Sequence, residues 1–130
     1  MRRISGSLVF VLVALSLSAV TITPASAGST AVDSFCSESG DYCTFVIEKD
    51  DGTILFKIRG FADYFGRAKA CVSKDTRVCH KRLPHRDGII FEWSILWQGN
   101  YPDEGPGRYS VRWFSKDGYS IGPRLHFERD

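Results

Sequence analysis

Residues 102–128 read PDEGPGRYSVRWFSKDGYSIGPRLHFE, and their pattern decides how the chain folds. Tyr109, Val111 and Trp113 occupy alternate positions, Ser115-Lys116-Asp117-Gly118 is a run of turn formers, and Leu125 and Phe127 alternate again. Side chains two apart on a strand share a face, so period two on both sides of a glycine-containing turn predicts a β-hairpin. The five large apolar residues then form one face, as a lid over a core requires.

The same period recurs upstream. Ile89, Phe91, Trp93, Ile95 and Trp97 alternate and predict the strongest core strand of the chain. Phe45 and Ile47 alternate with Thr44, Val46 and Glu48. After the turn chemistry of Asp50-Asp51-Gly52, Ile54, Phe56 and Ile58 point one way and Leu55, Lys57 and Arg59 the other. A further hairpin turns at residues 73–76, with Ala68, Ala70, Val72 and Val78 as its buried side. Residues 28–35 read as a loose leader, 83–88 break the pattern, and 98–107 form a loop. No window carries helical periodicity. The expected fold is all-β, a sandwich of about seven short antiparallel strands.

Residues 1–27 read as a secretion signal. Arg2 and Arg3 supply positive charge, Leu8 to Val20 is an apolar run, and Ala25-Ser26-Ala27 is a small-residue cleavage site. The apolar run is shorter than the roughly 20 residues needed to span a bilayer. Cleavage after Ala27 would leave an extracellular chain in which 28–42 are leader and disulfide-clamped turn and 43–130 the sandwich. Both arginines leave with the signal, so residues 28–130 carry 15 Lys+Arg against 15 Asp+Glu. A net charge of zero argues against a nucleic-acid partner. The charge is nevertheless uneven, because residues 67–86 hold seven bases and one acid. Four cysteines in a short exported chain read as two disulfides. Their spacing favours the local pairs Cys36–Cys43 and Cys71–Cys79 over a zinc site, whose paired ligands lie closer together.

Gly105-Pro106-Gly107-Arg108-Tyr109-Ser110-Val111 has the shape of the tyrosine corner at the penultimate strand of an immunoglobulin sandwich. Gly107, Tyr109, Val111, Trp113, Gly122, Pro123, Leu125 and Phe127 resemble the ending of small exported actinobacterial immunoglobulin-like proteins. This resemblance implies the architecture, an immunoglobulin-like sandwich of about seven antiparallel strands, and no activity, since fold does not fix function. The stretch is also similar to the end of the copper-resistance C family, in which an Asp-Gly-His supplies a copper ligand. Here the triplet is Asp117-Gly118-Tyr119, and the histidine that family carries at its mature N-terminus is replaced by Gly28. Apoproteins of the neocarzinostatin type are similar in size, compartment and local disulfides, but place their cysteines differently.

The candidate site follows from register. If Cys71 and Cys79 stand opposite, Lys69 faces Lys81 and Ser73 faces Arg77. Alternation then puts Arg67, Lys69, Arg77 and Lys81 on one outward face, flanked by Arg82. Like charges directly opposed on strands are destabilising, so this face is expected to meet an anion: an acidic polysaccharide, a cell-wall polymer, a lipid headgroup or an acidic protein. The competing reading is a solvated edge whose long charged residues discourage strand pairing. Among the histidines, His80 and His85 with Asp87 are the weak metal candidate, and His126 is expected to face outward. Tyr101, Phe114 and Tyr119 are expected at the surface, where an aromatic strip suits sugar rings, and residues 100–104 are the candidate inhibitor loop. No nucleophile elbow occurs. The expectation is a monomeric, non-catalytic binding module without cofactor or membrane span, with a hydrolase inhibitor and a weak metal carrier as the alternatives.

Overall fold

The computed structural model describes residues 28–130 as nine strands in two antiparallel sheets, with no helix among them. The expected signal segment, 1–27, lies outside the described residues. Strands β1 (Ser29–Cys36), β2 (Tyr42–Lys49), β3 (Ile54–Gly60), β7 (Ile90–Leu96) and β6 (His85–Asp87) form one sheet in the order β1-β2-β3-β7-β6. The other runs β5 (Arg77–Arg82), β4 (Ala68–Ser73), β8 (Gly107–Phe114), β9 (Ser120–Arg129).

The count exceeds the expected seven at two places. Residues 28–35, read as a loose leader, contain β1. Its side chains are largely exposed and carry little period, yet its backbone pairs along β2 from Ser29↔Lys49 to Cys36↔Cys43, through a bulge at Ala31/Asp33. The Asp33 carboxylate also accepts the His126 amide at 2.8 Å, tying β1 to the edge of the second sheet. Residues 85–87, inside the stretch read as a break, form the short edge strand β6 against β7.

The two sheets stack face to face, and alternation explains which side chains lie between them. Phe56 of β3 meets Phe127 of β9 at 5.5 Å between ring centroids, and Trp97 meets Tyr109 at 5.5 Å. Trp93, Trp113, Val111 and Leu125 are buried with them, as is the inward set Ala68, Ala70 and Val72. Burying a large side chain of this kind stabilises by about 1.5–3 kcal/mol. Ile89 departs from the expected core strand: it sits in the β6–β7 turn and is 72% exposed.

Both local disulfides form, each across directly opposed strand residues. At the start of β8 the Tyr109 hydroxyl donates to the Gly105 carbonyl at 2.7 Å and accepts from the Glu104 amide at 2.8 Å. That fixes the loop from β7 into β8 from inside the core.

Candidate functional site

The β4–β5 hairpin takes the expected register, with Lys69 opposite Lys81, Cys71 opposite Cys79 and Ser73 opposite Arg77. Because Ala68, Ala70 and Val72 fill the core, their strand neighbours must face outward. Lys69, Arg77 and Lys81 therefore share the outer surface of the four-stranded sheet, with Arg67 just before β4 on the same side. Strand β8 lies along β4 on the other flank, where Phe114 stands opposite Lys69 and Arg112 opposite Cys71. Three cations gather over the Phe114 ring: Lys69 Nζ at 5.7 Å from the centroid, Arg77 Cζ at 5.5 Å and Arg112 Cζ at 6.0 Å. The negative π face offsets part of their repulsion, by about 0.5–1 kcal/mol each at exposed sites.

Among the described residues no carboxylate lies within ion-pair distance of these charges. Among the described residues the ion pairs are Lys57–Glu92, Lys74–Asp75 and Arg108–Glu128, and none involves Arg67, Lys69, Arg77, Lys81, Arg112 or Lys116. The Arg112 Nε is shielded from solvent with no acceptor. This arrangement offers ammonium and guanidinium donors that no ion pair among the described residues engages, which is the chemistry of anion binding.

One end of the face is hollowed. Arg67, Lys69, Lys81, Ser115, Lys116 and Gly118 line a concavity of about 150 Å³. Besides β4 and β5, the β8–β9 turn and the β3–β4 connection shape it, and hydrogen bonds tie these two together. In the β8–β9 turn, Ser115 N donates to the Tyr119 carbonyl at 2.7 Å and Gly118 N to the Ser115 carbonyl at 2.9 Å. Lys116 N donates to the Phe65 carbonyl at 2.9 Å, joining this turn to the β3–β4 connection. That connection is pinned in turn by the buried Trp93, whose indole donates to the Gly66 carbonyl at 2.8 Å. Gly66 has φ +62°, and a Cβ there would stand 2.5 Å from Lys116 Cδ. The lysine stem is laid across a glycine that leaves it room.

The sequence expectation thus brings together Arg67, Lys69, Arg77 and Lys81, but not Arg82. Arg82 follows Lys81 on the same strand and so points to the opposite side, where its guanidinium meets Asn100 Oδ1 at 3.2 Å. Arg112 and Lys116 were missed. Their outward orientation is readable from the Val111/Trp113 alternation and the turn, but nothing local says that β8 pairs with β4.

Tyr101 is a correction. It is buried rather than displayed, and its hydroxyl donates to the Ala70 carbonyl at 2.7 Å. Burial pushes this phenol far above its ordinary pKa, with Arg82 opposing in part. Tyr119 does lie at the surface, and Phe114 is half-buried beneath its cations. The 100–104 loop is strapped down, because the Glu104 carboxylate accepts the Asp75 amide at 2.6 Å and bonds Thr76 through both its amide and its hydroxyl. Hydroxyl donation by Thr76, then the Asp75 amide, holds the Glu104 carboxyl below its ordinary pKa.

His80 packs edge-on against Tyr101 at 5.0 Å, while His85 and Asp87 lie on β6 in the other sheet, with His85 opposite Glu92. Among the described residues no three His, Cys, Asp or Glu side chains group as metal ligands. No described helix is long and apolar enough to cross a membrane. Comparison with known proteins finds no matching family model, no matching curated protein and no matching solved structure.

Proposed function

We propose that this protein is an exported, non-catalytic binding module of immunoglobulin-like architecture that engages an anionic partner through the outer face of its four-stranded sheet. The observation that carries the reading is the gathering of Lys69, Arg77, Lys81, Arg67, Arg112 and Lys116 on one surface with no ion pair among them. Opposed lysines cost a few tenths of a kcal/mol or so in the free protein. A bound anion removes that cost and replaces it with charge-assisted hydrogen bonds.

Strand connectivity supports the architectural part. The order β2-β3-β7-β6 against β5-β4-β8-β9 parallels the two sheets of an immunoglobulin sandwich, with β1 added at an edge. Tyr109, bonded back to Gly105 at the start of the penultimate strand, parallels its tyrosine corner. Two disulfides fit an oxidising extracellular setting. The inhibitor-loop alternative loses ground, since Tyr101 and Glu104 are engaged within the protein.

Retention on immobilised heparin at low salt tests the reading. The wild-type protein is expected to bind and to elute with rising salt, and the variant combining Lys69→Ser, Arg77→Ser and Lys81→Ser to flow through. Equal retention of the two would remove the basic face from the account.

A further inference from the structure

The 115–118 turn has a second side. Opposite the cationic concavity, Tyr64, Phe65, Ser115, Asp117 and Tyr119 line an open recess of about 290 Å³. Tyr119 is 75% exposed and Tyr64 51% exposed. Single exposed aromatics are ordinary at a protein surface, but here two tyrosines border one recess. Both hollows share Ser115 and draw residues from the β3–β4 connection and the β8–β9 turn, the concavity adding Lys69 of β4 and Lys81 of β5. The hydrogen bonds from Lys116 to Phe65 and from Trp93 to Gly66 keep those segments in fixed relation.

From this juxtaposition we infer that the anionic partner is a glycan, a chain of pyranose rings bearing carboxylate or sulfate groups. This rests on the anion-binding reading above and deepens it. A sugar ring presents an apolar C–H face, which packs on exposed tyrosine rings, and hydroxyls, which donate to carboxylate oxygens such as those of Asp117. Its anionic substituent would reach, past the shared Ser115, the concavity lined by Arg67, Lys69, Lys81 and Lys116. A chain of bare phosphates has no ring face to pack on the tyrosines and can meet only their hydroxyls. Further cations at Arg77 and Arg112 continue the track along the sheet for the next anionic groups of the polymer.

Four probes separate the possibilities by titration calorimetry at low salt: a heparin oligosaccharide (sulfated), an oligogalacturonate (carboxylated), polyphosphate (no ring) and single-stranded DNA (rings that are nucleobases). The variant combining Tyr64→Ser and Tyr119→Ser is expected to weaken one or both glycans about tenfold, equivalent to about 1.4 kcal/mol. Polyphosphate binding should change less than twofold, by about 0.4 kcal/mol or under. Because heparin bears uronate carboxylates beside its sulfates, a response of oligogalacturonate shows that carboxylate suffices, and a response of heparin alone identifies sulfate as the required charge. Tyr119→Phe retains the ring and should retain glycan affinity; if the double variant fails to melt cooperatively, Tyr119→Ser is compared with Tyr119→Phe instead. Unaltered glycan affinity in the tyrosine-to-serine variants overturns the glycan inference, and so does tighter binding of polyphosphate or DNA than of both glycans; either result leaves the anion-binding reading standing. Failure of the wild-type protein to bind any of the four overturns both.

Discussion

Replacing Gly66 with alanine perturbs the joint between the core and the cation face. Gly66 has φ +62°, a left-handed conformation that costs a non-glycine residue about 1–2 kcal/mol. Its backbone has little freedom to relax, because Trp93 holds its carbonyl at 2.8 Å and its own amide donates to Asp63 at 2.8 Å. The added Cβ would lie 2.5 Å from Lys116 Cδ and 3.1 Å from Cγ, so the flexible lysine stem gives way. Its ammonium then leaves the concavity shared with Arg67, Lys69 and Lys81. Losing one charge contact near 4 Å in a water-like dielectric weakens binding by about 1 kcal/mol, or about fivefold in Kd. Urea denaturation and titration with a heparin oligosaccharide read the two consequences separately. Gly66→Ala should lose about 1–2 kcal/mol of stability and about fivefold in affinity. Gly66→Asn, which enters the left-handed region more readily, should recover part of the stability but not the affinity. In a Lys116→Ser background the alanine should cost stability but no further affinity, since the two changes act through one side chain. Affinity losses that add in full, or a Gly66→Ala protein that binds as the wild type does, would show that Lys116 does not depend on this glycine.

Other consequences are independent of the ligand. Tyr109→Phe removes the hydroxyl that bridges Gly105 and Glu104 and should destabilise the fold by about 1–3 kcal/mol; a loss under about 0.5 kcal/mol in urea melts would mean that water replaces it freely. Replacing Cys71 and Cys79 together by serine opens a short cross-strand loop, and chain entropy sets the expected loss at about 2–3 kcal/mol. Calorimetric unfolding checks it, and an unchanged midpoint contradicts it. Glu104 gives a pH signature. Its folded pKa lies below the ordinary 4.5, so its stabilising contribution is present above that value and fades as pH falls through the lowered one. Wild-type stability should therefore fall more than that of Glu104→Gln as acid is added below pH 4.5, and parallel curves would count against the strap.

Much of this was legible in the sequence where local periodicity controls structure. The hairpin register at Cys71 and Cys79, the buried Trp93 and Trp113, and the bonded Tyr109 follow from alternation and turn chemistry within about ten residues of each other. What escaped depends on distant pairing. Strand β1 has almost no apolar period because it is an edge held by backbone bonds, a bulge and Asp33, none of which leaves a hydrophobic trace. Tyr101 sits in a stretch, Asn100-Tyr101-Pro102-Asp103, whose composition says surface loop, yet its ring fills a gap beside Phe56 and His80. Arg112 and Lys116 join the cation face only because β8 lies along β4, a neighbour nearly 40 residues away in sequence. Arg82, by contrast, is turned towards Asn100 by local alternation alone: it is adjacent to Lys81 on one strand, and adjacent residues face opposite ways.

The central claim is that the outer face of the β5-β4-β8-β9 sheet binds an anionic polymer through several cations at once. Its most direct measurement is the affinity for a heparin oligosaccharide as a function of salt, for the wild type and for the variant combining Lys69→Ser, Arg77→Ser and Lys81→Ser. The account predicts an affinity that falls steeply with salt in the wild type, and in the variant a weaker affinity with a shallower dependence. Two superimposable salt curves, or no wild-type binding at low salt, would contradict it.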